Sequence, residues 1–496
     1  MAELINTANR QLIPRWHTSR KLELFQHLNI DLITPDQNSG KLFNIDDKKN
    51  YWLSNPTVAT ATDLFISMYL ANMWNSRLYN ELKKFLLSRI DDVSQSIINI
   101  INPSLRKIDS SIIYATNKSD IYKIINTLKA MVRVSPRDSL SWNDLAFYYA
   151  ILGEKIKAEH CMVISCGINP NHPYLVRSLA RLLVHHNEPE KAVFVLRKAN
   201  KVTIHPEILS ADIAIRSFFD IGRPDVNAAR RLIKQNFLNP FMISELSASI
   251  GTLEIQNGAI KKGKKHLAES AISPTENTVA QLRWLSQQHK IYTPMETNAT
   301  QSLEARAIDY YNDKDYIRCR DKLVELHEFQ PFSSQALVDA GYISLMALED
   351  SKFVCDLYQK FSSVKSANVT VSNNYILAKL LIGDIKGAEI MLSELIDIEM
   401  KDRDKAVLSA TIGYYFYQIG QEEEARRCYE NTFMYFKSVK NSFNLSVALL
   451  YQGIAEKKIS TGKGNSILEK AKLEAKKISW KPAELIERID KEINKN

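Results

Sequence analysis

Turn-forming residues are scarce in this chain: 15 glycines and 15 prolines among 496 residues are too few for the many tight turns a strand-rich fold consumes. Cysteine is scarcer still. Cys161, Cys166, Cys319, Cys355 and Cys428 form an odd, widely spaced set, which fits free thiols in a reducing compartment better than a disulfide framework. Long apolar runs are missing too. The longest, Leu64 to Met73, gives about ten residues against the roughly twenty a spanning helix needs, and Ser67 and Asn72 interrupt it. The opening residues, MAELINTANRQLIPRWH, lack the basic flank and apolar run of a secretory leader. The expectation is a cytoplasmic chain with no membrane span.

Catalytic signatures are also missing. There is no glycine-rich phosphate loop, G-x-S-x-G elbow, H-E-x-x-H or C-x-x-C, so the reading is a non-enzyme with no cofactor and no metal. His185 and His186 are adjacent, and on a helix neighbours point about 100° apart, too far to share one metal. Cys161 and Cys166 are five apart, outside the three-or-four spacing that aligns side chains, and read as small core thiols. Charge is not concentrated either. The net +9 arises from 65 basic residues scattered among 56 acidic ones, whereas a nucleic-acid binder gathers its cations. The runs KKGKK (Lys261 to Lys265) and Lys476 to Lys481 lack interleaved aromatics for base stacking, which argues against nucleic acid; a nucleic-acid-binding repeat protein stays as an alternative.

What the chain does have is periodicity. With 45% hydrophobic and 24% charged residues it can bury a large, mainly helical core. Pro136, Pro170, Pro206, Pro240 and Pro274 follow one another at spacings of 34, 36, 34 and 34. Each ends one amphipathic stretch and permits the next to begin, and a repeat of this length implies a solenoid of helical hairpins. The clearest unit, Asp138 to His172, carries Trp142, Leu145, Ala146, Tyr149, Ala158, Met162 and Pro170 in register, with Gly153 at the turn. Later units hold Leu179, Ala180, Ala192 and Leu196, then Leu246, Gly251, Gly263 and Leu267, then Ala307, Tyr310, Cys319 and Leu323, and finally Gly413, Phe416, Gly420, Ala425 and Tyr429.

These positions resemble the tetratricopeptide repeat consensus, in which small residues sit at the crossing of helices A and B and proline closes the unit. The resemblance spans roughly residues 104 to 460 and implies an all-α, right-handed α-solenoid of helix-turn-helix repeats with a non-repeat N-terminal region. The expected layout is an irregular arm over 1–57, a helical region over 58–103, a first block over 104–274, an irregular break over 275–300 containing one lone helix, a second block over 301–444, and capping helices over 445–496 with KKISTGKGNS as their loop.

In such arrays the A helices line a concave groove that binds extended peptides or a partner helix. The phase of the best units puts Asn143, Phe147, Tyr174, Arg177 and Arg181 there. Arg177 and Arg181 are four apart on one helix face and could grip an acidic segment. The Lys and Asn pattern with which chaperone-binding members clamp a carboxylate is not reproduced. Trp16, Trp52 and Trp74 fall in the first 75 residues; they either staple the arm to the repeats or, led by Arg15 and Trp16, form a second interface. The implied function is a scaffold or adaptor for a protein or peptide partner, with a regulatory or sensor subunit as the alternative. High Ile, Asn and Lys usage resembles that of A+T-rich bacterial genes, including phage-defence systems. Partner identity and oligomeric state stay open.

Overall fold

The computed structural model describes residues 16, 44–71, 73, 76–102, 118–170, 172–202, 205–234, 238, 240–289, 302–329, 335–361, 369–396 and 400–495. Among them every regular element is a helix. They group into two compact units, an N-terminal one running to Arg306 and including Glu328, and a C-terminal one running from Ala307.

In the N-terminal unit, α1 (Ile45–Ser54), α2 (Val58–Leu70), α3 (Arg77–Leu87) and α4 (Gln95–Ile101) precede the helix α5 (Lys118–Val134). Hairpins follow: α6 (Ser139–Ile151) with α7 (Lys155–Ile168), α8 (Pro173–His185) with α9 (Pro189–Val202), α10 (Pro206–Phe219) with α11 (Val226–Ile233), and α12 (Pro240–Gln256) with α13 (Ile260–Ser270). Next comes α14 (Glu276–His289); α15 (Leu303–Asn312) begins before the boundary at Arg306 and lies mostly in the C-terminal unit. The remaining helices are α16 (Tyr316–Phe329), α17 (Gln335–Met346), α18 (Ser351–Lys360), α19 (Val369–Leu381), α20 (Ile385–Ile396), α21 (Asp402–Gln418), α22 (Glu422–Ser438), α23 (Ser442–Ile459), α24 (Thr461–Lys476) and α25 (Ala483–Asn494).

Local chemistry starts and stops each hairpin. Asp138 caps α6 by accepting from Leu140 N and Ser141 N, both at 3.1 Å, which satisfies donors that the first helical turn leaves unpaired. Gly153 reverses the chain at φ 74°, a conformation costly to residues with a Cβ. Ala146 and Ala158 are both fully buried, as the close approach of two backbones requires. In α8 and α10 a proline occupies the first helical turn, preceded by His172 and His205 as N-caps; proline fits there because its missing N–H would be unpaired anyway. The α12–α13 pair relies on Gly251 and Gly263: a Cβ on Gly263 would lie 2.5 Å from the Ile255 side chain.

The structure departs from expectation in two places. Part of the 1–57 span is helical as α1, because IDDKKNYWLS can bury Ile45 and set acids in its first turn. Most of the loop expected from KKISTGKGNS is helix, with a single residue between the end of α23 and the start of α24. Only Ser460 is extended between them. Gly464 explains this, since a Cβ there would come within 2.5 Å of the Lys457 backbone; the glycine serves close packing, not a loop. Within the 275–300 break, α14 reaches His289, and 290–300 lie outside the described residues.

Candidate functional site

In the N-terminal unit, α6 and α8 bring three of the expected groove residues together, and the chain's own tryptophan fills the space between them. Trp16 is wholly buried. Its indole N–H donates to Asn143 Oδ1 at 3.1 Å, and its ring meets Phe147 edge-on at 5.3 Å. Asn143 in turn donates to the Tyr174 hydroxyl at 3.0 Å. Trp16 therefore lies inside the unit and is not a surface anchor, while Arg15 lies outside the described residues. Trp52 packs edge-on against Phe85 at 6.0 Å, and Trp74 is again outside the described residues.

Arg177 is likewise engaged. It pairs with Glu245 on α12 and, at 3.4 Å, with Glu207 on α10. Burial opposes the charge, but the two carboxylates more than offset it and hold the guanidinium above its usual pKa. Glu245 also accepts from Thr275 Oγ1 at 3.0 Å. The pairing joins three hairpins, so this arginine is a strut within the stack. Arg181 is half-buried and, after burial itself, helps to lower His185 to about 4.

His172 and His205 are buried. Burial lowers His172 well below the usual histidine range, with Lys48 and His205 adding to the effect. Burial followed by Arg177 lowers His205 to about 3. The thiols move the other way: burial raises Cys161 to about 11 and Cys166 to about 12, leaving both protonated and poorly nucleophilic. Among the described residues no group of three His, Cys, Asp or Glu side chains could hold a metal ion, and no helix is long and apolar enough to cross a membrane. A cleft of about 410 Å³ is bordered by Arg197, Lys201, Arg216 and Arg223 together with Asp212 and Asp225; Arg216 is paired with Asp212 at 2.9 Å, and the lining is net positive.

The C-terminal unit has a different character. Helices α17, α19, α21 and α23, with Tyr429 and Phe436 of α22, surround a cavity of about 100 Å³ whose walls include Tyr342, Leu377, Tyr414, Val447 and Tyr451. Three polar atoms on that wall have no hydrogen-bond partner: Asn373 Oδ1, Asn444 Nδ2 and the Tyr429 hydroxyl. All three residues are at least nine-tenths buried. Buried polar groups are nearly always paired, so this clustering calls for an explanation.

One end of the unit is closed by α25. Buried Glu484 accepts from the Tyr311 hydroxyl at 2.9 Å and the Tyr342 hydroxyl at 2.8 Å. Lys491 reaches Glu349 at 2.6 Å, and Arg488 pairs with the same carboxylate. The last helix thus meets α15, α17 and the turn after α17, across up to 173 residues of sequence. Of these C-terminal groups the sequence pattern picks out Tyr429 alone, and as a repeat position, not as a site residue. The available signal was asparagine inside apolar runs, at VTVSNNYILAKLL and SFNLSVALLYQ.

No family model and no curated protein matches this chain. Solved structures do. One of them, an IFIT1 monomeric mutant with Gppp-AAAA, aligns over 95% of this chain and 99% of its own at 12% identity and a TM-score of 0.35.

Proposed function

We propose that this protein is a non-enzymatic scaffold or adaptor that holds a protein partner on the face formed by α17, α19, α21 and α23. The observation that carries the reading is the cavity wall itself, predominantly apolar and carrying buried polar atoms left unpaired, which is the composition of a recognition pocket. The corresponding face in the N-terminal unit is filled by Trp16 and held by the Arg177 pairs, so the expected contacts of Asn143, Phe147, Tyr174 and Arg177 are made within the chain.

A photo-crosslinking residue at Val407, half-buried on the cavity wall, tests this in the full chain. Adducts should form there and not at Glu430, which is exposed on α22, and Val447→Trp should remove them. Equal adducts at both positions, or adducts indifferent to Val447→Trp, sink the proposal. A regulatory subunit is the second reading. It is favoured by the closure through α25, because a partner that binds one arrangement of that helix better than another shifts the unit between them.

A further inference from the structure

We propose that the cavity of the C-terminal unit receives one apolar side chain of an extended peptide and that Asn373 and Asn444 read the backbone amide beside it. The proposal rests on the scaffold reading above and specifies its ligand. Volume sets the first limit. A dry cavity of about 150 Å³ takes a ligand the size of benzene, so about 100 Å³ suits one branched aliphatic or compact aromatic group. A helix could insert such a side chain but has no free backbone amide beside it, because its N–H and C=O groups are paired within the helix.

The unpaired atoms set the second limit. Asn373 presents an acceptor and Asn444 a donor, both on the wall of the same cavity. A ligand that satisfies both supplies a donor and an acceptor of its own, as a secondary amide does with its N–H and C=O. Both groups are neutral, and Arg403, the basic residue on the wall, is exposed and already has an interaction. A phosphate or carboxylate would therefore meet an amide oxygen and an apolar wall without a buried counter-charge, whereas an uncharged amide enters without that desolvation cost. Tyr429 adds a hydroxyl that can donate or accept.

Fluorescence anisotropy on the full-length chain tests this with a labelled, capped heptapeptide, Ac-Ala-Ser-Ala-X-Ala-Ser-Ala-amide. Saturable binding is expected with X as Leu or Phe, and about tenfold weaker binding with X as Gly or Asp. Replacing the amide N–H of X by an ester oxygen should weaken binding to the native chain by about tenfold, as loss of one buried hydrogen bond does. The same replacement should have no effect on Asn373→Leu, whose acceptor is gone. Asn373→Leu and Asn444→Leu should each bind the amide peptide about tenfold less well with no fall in Tm, since neither removes a bond made in the free protein.

If the ester and the amide bind the native chain equally, the amide reading is wrong, and this outcome needs no variant to fold. Should Ala410→Trp, which fills the cavity, abolish binding while the ester and both leucine variants do not alter it, the pocket stands and the asparagine assignment falls. If no peptide in the series binds yet the Val407 adducts persist, the peptide ligand is refuted and the scaffold reading survives. Loss of both removes the two together. A lowered Tm in both leucine variants with no peptide binding would show that the amides hold only water.

Discussion

Trp16 offers the sharpest test of how the N-terminal segment relates to the repeats. Trp16→Ala removes a wholly buried indole, its edge contact with Phe147 and the donor to Asn143. Truncating a buried aromatic to alanine costs about 3 to 5 kcal/mol, and an amide oxygen left unpaired adds roughly 1 to 3 kcal/mol if water cannot reach it. The sum is an upper limit because the site can partly collapse; about 4 kcal/mol is expected, a large share of the roughly 5 to 15 kcal/mol that holds a domain together. Trp16→Phe keeps an aromatic ring beside Phe147 and loses the N–H, so about 1 to 3 kcal/mol is expected. Guanidinium unfolding of the full chain gives the totals, and hydrogen exchange places them: α6 and α8 should lose protection first, with α21 to α24 unchanged. A Trp16→Ala change below about 0.5 kcal/mol, the range of neutral surface substitutions, would refute the structural role and return Trp16 to the surface.

Arg177→Met should destabilise the N-terminal unit by about 3 to 5 kcal/mol, because it leaves Glu207 and Glu245 without their buried counter-charge; thermal or denaturant unfolding reads it, and a neutral result would mean that the pairs are ornamental. His172 and His205 have depressed folded pKa values, so the stability they contribute is present above the unfolded value of about 6.5 and is lost as pH falls; each should cost about 1 to 1.5 kcal/mol by pH 5.5. His205→Gln should flatten that part of the pH profile, and a profile unchanged by the substitution would show that His205 is not buried neutral. Glu484 behaves oppositely. Burial raises its pKa against the opposing bonds from Tyr342 and Tyr311, so its contribution is full below the ordinary carboxyl value and is lost as pH rises through the folded one. Glu484→Gln should leave the C-terminal unit at least as stable as native near neutral pH and less dependent on pH above about 4, whereas a larger pH dependence in the variant would reverse the assignment.

What was legible from sequence was what neighbouring residues decide. The proline ladder, Gly153 at its turn, and Ala146 and Ala158 at a helix crossing express local rules of capping, reversal and close approach, and the hairpins appear where those rules put them. What was not legible depends on stacking. Arg177 lies four residues from Arg181 and reads as half of a basic face, yet its partner is Glu245, 68 residues on, and only the packing of α8, α10 and α12 brings them together. The Ser- and Gly-containing run KKISTGKGNS has the composition of a loop, while the demand for a residue without a Cβ beside Lys457 is visible only once α23 and α24 face each other. Trp16 could be read as staple or anchor until the acceptor Asn143, 127 residues away, was placed.

The same distinction bears on where a partner can bind. Reversing Arg177 and Arg181 to glutamate would not isolate a binding surface, since it would put a third carboxylate between Glu207 and Glu245 and unfold the stack before any partner was consulted. A binding face has to hold free energy that the chain alone does not recover. On the face of the N-terminal unit that Trp16 fills, that free energy is already spent, with the indole bonded to Asn143 and the Arg177 guanidinium paired with Glu245. In the C-terminal unit Asn373 and Asn444 remain unpaired, which costs roughly 1 to 3 kcal/mol apiece and is returned only when something supplies the missing donor and acceptor. A ligand that does so is coupled to the stability of this unit by mass action, about 2.7 kcal/mol at a hundredfold excess over Kd. That gain belongs in the exchange protection of α17, α19, α21 and α23, the helices that form the wall, and its appearance in α6 or α8 instead would place the binding face on the unit that already fills its own.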